Sequence, residues 1–238
     1  MSRSDGRQND ELRPVKITRG YLKYAEGSCL IELGDTCVIC AASVEERVPH
    51  WLKGQMAGWV TAEYAMLPRA AEQRSAREVN RPSGRTAEIQ RLVGRALRSV
   101  VALEGLGERT VFIDCDVIQA DGGTRTASIT GAYVALVECL RWMQVRNYFR
   151  SLPIAESIAA VSVGMVQGED LLDLTYQEDS IAAIDMNLVM TASGKIVEVQ
   201  GTAEGRPFDR ERLNRLLDLG SNGICQLIEA QMRALGDL

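Results

Sequence analysis

The 238-residue chain is predicted to fold as an α+β unit of two similar halves, each with strands followed by a helix. Three observations carry this expectation. Short apolar runs rich in Val and Ile recur early and late in the chain, each bounded by polar or Gly-containing stretches. Gly34-Asp35 and Ser193-Gly194 each separate two such runs as hairpin turns, so pairing should be mainly antiparallel. Longer segments keep the i, i+3, i+4 apolar rhythm of helices. No linker composition separates the halves, about 12–105 and 109–238, which are therefore expected to form a single domain.

The first half opens with strand-like runs at 15–25, 28–33, 36–44 and Trp59–Met66. Residues 67–85 are Arg-rich, poor in apolar side chains and carry Pro68 and Pro82, which predicts a long loop of the kind that is usually functional or disordered. A helix follows over 86–103, with Ile89, Leu92, Val93, Ala96, Leu97, Val100 and Val101 in phase. Thr86 is its expected N-cap, and Gly105-Leu-Gly107 ends it. The second half begins with a strand at 110–118 and a Gly-rich turn. A helix over 127–147 places Ile129, Tyr133, Leu136, Leu140 and Met143 on one face. Strands are expected at Ile158–Val166, 171–176, Ile184–Thr191 and 195–200, before a last helix over Arg210–Leu235.

Composition narrows the classes of function. The chain is 46% hydrophobic and 25% charged, as expected of a globular protein. No apolar run has the length of a membrane span, and the polar N-terminus lacks a signal-peptide core, so no membrane association and a cytoplasmic location are expected. Of six cysteines, Cys29, Cys37, Cys40 and Cys115 lie within strand runs. Cys37 and Cys40 would point to opposite faces of a strand, with no second pair to complete a zinc site, so reduced thiols are expected. A single His50 argues against a His-dependent triad.

The net charge of −5 disfavours general nucleic-acid binding, but its distribution does not. Residues 69–98 hold eight Arg against three Glu, leaving −10 for everything else. An acidic chain with one concentrated Arg segment fits a phosphate-handling site, or a solvated interface face.

The stretch Asp121-Gly-Gly-Thr-Arg-Thr-Ala-Ser-Ile-Thr-Gly-Ala132 feeds a helix from a Gly-rich turn. Such a turn offers unpaired backbone N–H groups and the positive end of the helix dipole to an anion. Thr124 and Thr126 add hydroxyl donors, and Arg125 adds a guanidinium suited to bidentate phosphate contact. Arg85 holds the equivalent place before the 86–103 helix, and two cations at two helix starts are best explained by one shared phosphate. On the strand from Ile184, Asp185 and Asn187 share a face, with Asp179 in the preceding turn. They could hold a hard cation such as Mg²⁺, or form a solvent face.

The chain strongly resembles the ribonuclease PH family of phosphate-dependent 3′-exoribonucleases, essentially from end to end. The resemblance rests on Arg3-Ser-Asp-Gly-Arg7 with Asp10-Glu-Leu-Arg-Pro14, and on Tyr64-Ala-Met-Leu-Pro-Arg69 with Arg74 and Arg77-Glu78. It continues with Gly84-Arg-Thr-Ala-Glu-Ile-Gln-Arg-Leu-Val-Gly-Arg95, and with the run from Asp114 to Gly131. It closes with residues 178–191 and Glu198-Val-Gln-Gly-Thr-Ala-Glu204.

The resemblance implies two βα halves of the ribosomal protein S5 domain 2-like type, assembled into a homohexameric ring as a trimer of dimers. It implies trimming of transfer RNA precursor 3′ ends, with release of nucleoside diphosphates. Arg85, Gly123, Thr124 and Arg125 would bind the attacking inorganic phosphate. Asp179 and Asp185 match the catalytic carboxylates that bind Mg²⁺, with the choice between general acid and metal ligand left open for Asp179. Arg69, Arg74 and Arg77 match an Arg cluster tied to RNA binding and ring contacts. The chain departs from the family's pattern at Asn80-Arg-Pro-Ser83 and varies at Glu204-Gly-Arg-Pro-Phe208. The alternatives are a catalytically silent, RNA-threading ring subunit of the exosome-like type, or an unrelated phosphate-binding metabolic enzyme.

Overall fold

The computed structural model describes residues 3–78 and 81–236; Asn80, where the sequence pattern departs, lies outside the described residues. Two sheets enclose a central helix. The first sheet has the order β1 (Val15–Arg19), β2 (Gly27–Leu33), β3 (Thr36–Glu45), β5 (Thr110–Gln119), β4 (Trp59–Met66). Its neighbours pair antiparallel except β4 and β5, which are parallel. Parallel neighbours need a crossover, and α1 (Gly84–Arg98) provides it while packing back onto β4. β5, which follows the helix in sequence, thus lies inside the first sheet. The second sheet is antiparallel throughout, in the order β7 (Glu169–Leu172), β6 (Ile158–Val166), β8 (Ile184–Thr191), β9 (Ile196–Ala203).

Between the sheets runs α2 (Thr124–Val145), touching β2 and β3 on one side and β6 on the other. Sixteen of its 22 residues are buried, and its middle, from Ala127 to Val137, carries no charged side chain. α4 (Arg210–Leu235) covers the other side of β6 and reaches β1, presenting Leu216, Ile224, Leu227 and Ile228 inward. A one-turn helix, α3 (Tyr176–Asp179), sits between β7 and β8. Among the described residues all six cysteines are free thiols, four of them buried.

Several boundaries differ from expectation for local reasons. β1 stops at Arg19 because Gly20 takes φ +60° and the chain bends. α1 ends at Arg98 because Val101 leaves the helix to bridge Ile154 across the chain, and Leu103–Leu106 forms a separate 3₁₀ turn. α2 begins three residues earlier than its apolar pattern. β7 comprises Glu169–Leu172 only, because Asp173 at φ +54° breaks the strand.

Candidate active site

β5 delivers the chain to Asp121, and two consecutive left-handed glycines then reverse it into α2 (Gly122 φ +74°, Gly123 φ +64°). Gly122 has no space for a Cβ, which would lie 2.5 Å from the Leu174 carbonyl oxygen and 2.8 Å from the Tyr176 nitrogen. Gly123 is the N-cap of α2, and no side chain caps that helix. Thr126 Oγ1 donates back to the Gly123 carbonyl oxygen and leaves the first-turn N–H groups open. Thr124, the first helical residue, shares a buried 2.9 Å hydrogen bond with the Tyr64 hydroxyl from β4. Burial pushes the Tyr64 phenol up from its ordinary range, against the Thr124 hydrogen bond and the charges of Arg85 and Arg125.

A buried polar clamp holds this turn from behind. The Arg13 guanidinium donates to the Asp121 and Gly122 carbonyl oxygens and forks onto both Asp173 oxygens at 2.9 and 2.7 Å. Asp173 is fully buried, and its carbonyl oxygen also accepts from Arg3 and Arg7. Arg3 in turn forks onto Glu178 at 2.8 and 2.7 Å, while Glu178 closes a capping box on Thr175 at the start of α3. Burial is the largest single influence on Glu178 and would raise it, but the Arg3 hydrogen bond, the Thr175 backbone N–H and the charges of Arg3 and Arg7 together hold the carboxyl below its usual range.

The start of α1 differs from expectation. Its N-cap is Ser83, whose hydroxyl accepts from the Thr86 backbone N–H at 3.2 Å, so Thr86 is three positions inside rather than the cap. Glu78 fixes that end by accepting from the Ser83 backbone and the Thr86 hydroxyl. Arg85 is therefore in the first helical turn and solvent-exposed. Neither α1 nor α2 carries an acidic residue in its first turn to offset these cations.

The two helix starts converge. Arg85, Gly123, Thr124 and Arg125 line one polar cavity of about 60 Å³ together with Ser162, Leu174, Asp179, Asp185 and Asn187. That is room for a few waters or one tetrahedral oxyanion. Arg125 is steered by a 2.6 Å hydrogen bond to the side-chain Oε1 of Gln200 on β9, and by Glu88 3.7 Å away. Asp185 and Asn187 point into the cavity from β8, while Met186 and Leu188 are buried on its other face. Burial pushes the Asp185 carboxyl up, with Asp179 adding to the rise, and Arg125 and Arg85 oppose it. A carboxylate pair facing two guanidiniums can hold a cation beside an anion, the pairing that a metal-assisted phosphoryl site needs.

Among the described residues no three His, Cys, Asp or Glu side chains cluster as a closed metal cage. Two carboxylates and the Asn187 amide oxygen do fit Mg²⁺, which takes only one or two protein carboxylates and completes its shell with water and phosphate.

Arg69, Arg74 and Arg77 do not join the cavity. All three are exposed on the loop between β4 and α1, and Arg69 folds back onto the Glu72 carbonyl oxygen. Asn187, read from the sequence as sharing a face with Asp185, joins the cavity, and so does Ser162, with Tyr64 and Gln200 bonded to its lining; these last three carry no such mark in the sequence. Ser162 enters by register, opposite Asn187 on β6, and no one-dimensional pattern marks that pairing.

The chain is similar to known proteins along most of its length. The profile of the 3′ exoribonuclease family, domain 1, matches residues 11–140, and that of domain 2 matches residues 156–223. Ribonuclease PH of Moorella thermoacetica is 59% identical over 240 residues, spanning 100% of this chain and 96% of that protein. Among solved structures, the Archaeoglobus fulgidus exosome with RNA bound to the active site superposes with a TM-score of 0.82. It is 26% identical, and the match covers 96% of this chain and 92% of the other. Rice Rrp46 superposes with a TM-score of 0.80 over 98% of this chain and 100% of its own, at 19% identity, which speaks for the fold alone.

Proposed function

Because the chain belongs to the 3′ exoribonuclease family, we propose that it shortens RNA from the 3′ end by phosphorolysis, with the cavity between α1, α2 and β8 as its reaction centre. The observation that carries the reading is the convergence of Arg85, Arg125 and the uncapped start of α2 on the carboxylates of Asp179 and Asp185. An oxygen of inorganic phosphate attacks the last phosphodiester phosphorus, the bond from that phosphorus to the 3′ oxygen breaks, and that oxygen takes up a proton. The products are a nucleoside diphosphate and an RNA one residue shorter.

The two reacting groups are both anions, so their approach must be neutralised and aligned. Arg85, Arg125, the Thr124 hydroxyl and the α2 N–H groups hold the attacking phosphate. Tyr64 fixes the Thr124 hydroxyl through its buried hydrogen bond. Asp179 and Asp185 are the residues that would hold Mg²⁺, which when bound offsets charge on the scissile group. Arg69, Arg74 and Arg77 lie outside the cavity, where an RNA strand would approach, and serve RNA binding and contacts between subunits.

The substrate is RNA, in particular the 3′ ends of transfer RNA precursors, and the subunits form a ring, a homohexamer built as a trimer of dimers. Supporting assembly, the edge strand β9 leaves Ile196 and Val199 exposed. No helix among the described residues is long and apolar enough to cross a membrane, in keeping with a cytoplasmic enzyme.

The test is a 3′-tailed transfer RNA incubated with Mg²⁺, with and without inorganic phosphate. Nucleoside diphosphates released only in the presence of phosphate are expected. Monophosphates released without phosphate would mean hydrolysis, and RNA bound without any product would mean a silent ring subunit.

A further inference from the structure

A second, larger cleft of about 660 Å³ opens beside the phosphate-sized cavity and shares Arg85, Gly123, Thr124 and Asp179 with it. Its lining also includes Tyr176 and Gln177 from α3, the apolar Met66, Ala71 and Ala120, and the polar Glu72, Gln73 and Asp121. Tyr176 is unusual for a large aromatic residue this close to a polar centre. It is 61% exposed, and among the described residues its ring and hydroxyl have no partner. Its backbone, by contrast, is tightly fixed. The Tyr176 N–H donates to Asp121 Oδ1 at 3.2 Å, Thr175 and Glu178 cap the turn, and Arg3 anchors Glu178. Gly122 packs directly against the Tyr176 nitrogen. The backbone that carries this idle aromatic ring is thus fixed beside the phosphate-binding turn.

We propose that Tyr176 is the stacking platform for the base of the 3′-terminal nucleotide, in a subsite that accepts any of the four bases. The assignment rests on the phosphorolytic reading above. The nucleotide that leaves as a diphosphate is joined to the scissile phosphorus, so its base must lie next to the inner cavity, and this cleft is the adjoining space. Met66, Ala71 and Ala120 in the same lining supply apolar surface for the base. An aromatic face recognises a base without reading its edge, which suits an enzyme that must remove whichever residue comes last.

The test compares two oligonucleotides that differ only in the last nucleotide, one with its base and one abasic, using wild type, Tyr176→Ala and Tyr176→Phe. Wild type is expected to show a KM for the base-bearing RNA roughly tenfold below that for the abasic one. Tyr176→Ala should lose that preference, Tyr176→Phe should retain it, and the KM for inorganic phosphate should stay unchanged in both. The assignment is overturned if Tyr176→Ala discriminates as wild type does. It is also overturned if Tyr176→Ala raises the KM for phosphate as much as that for RNA, which would mean the ring acts through the neighbouring turn. A wild-type protein that phosphorolyses both RNAs equally well overturns the subsite but not the reaction, whereas one that releases no diphosphates overturns both.

Discussion

Arg125 is held in place by Gln200, which itself donates to Glu88, so the guanidinium enters the cavity from a fixed direction. Arg125→Ala is expected to raise the phosphate KM about tenfold, the worth of one charge-assisted contact, while RNA affinity changes little. Steady-state kinetics with each substrate varied separately check this. Asp185→Asn should lower kcat roughly 10²-fold without releasing RNA, as expected when charge stabilisation of the reacting group is lost; full activity with Mg²⁺ would refute the metal-holding role. Asp114, on the sheet face away from α2, has its carboxyl raised by burial and then by Glu63 and Asp116. A raised carboxyl stabilises the fold below its ordinary value, and that contribution is lost as pH rises through the raised value. Asp114→Asn should therefore raise Tm at neutral pH, and the difference from wild type should vanish near pH 3. Single residues were legible where type alone decides chemistry, as with the Gly-Gly-Thr-Arg turn. The N-cap was not. Ser83 and Thr86 are both good capping residues, and only Glu78 reaching over both settles the choice.

The contrast between α1 and α2 shows how an element can be built for an anion. α1 begins with a satisfied Ser83 cap, whereas α2 begins at a glycine that satisfies none of its first N–H groups. Ser83→Ala should cost about 1 kcal/mol of stability, measured by denaturant unfolding. Gly122→Ala belongs to another class, since its Cβ would strike backbone atoms at 2.5–2.8 Å in a left-handed conformation. Its expected result is loss of phosphate-dependent turnover well before loss of far-UV circular dichroism. The strands Trp59–Met66, Ile158–Val166 and Ile184–Thr191 and the helix Arg210–Leu235 could be read to the residue from their apolar periods. The ends of β1, β7 and α1 could not, because positive-φ positions or a distant bridge to Ile154 set them.

At the scale of the whole molecule, the site is a product of topology. Arg85, Arg125, Ser162 and Asp185 come from four elements, two helices and two strands of the second sheet, and only the placement of α2 between the two sheets brings them together. The sequence suggested that two cationic helix starts share a phosphate, but their meeting depends on register and crossover, which leave no local pattern. Nor did the sequence show why the N-terminal arginines matter. Arg3, Arg7 and Arg13 are buried against Asp173 and Glu178, which hold the turn and α3 in place. Arg13→Ala would leave Asp173 buried without its forked partner and should cost about 3–5 kcal/mol, seen as a lowered denaturant midpoint with an unchanged slope.

That clamp also sets a timetable. Arg13 and Asp173 are 160 positions apart, and Arg3 and Glu178 are 175 apart. A ribosome adding about 5–20 residues per second would make most of the chain before the first arginines met their partners. The early arginines must stay hydrated throughout that interval, so the proposed reaction centre is among the last parts of the molecule to form. Nascent chains stalled before Asp173 should accordingly lack a competent centre even with the first sheet complete.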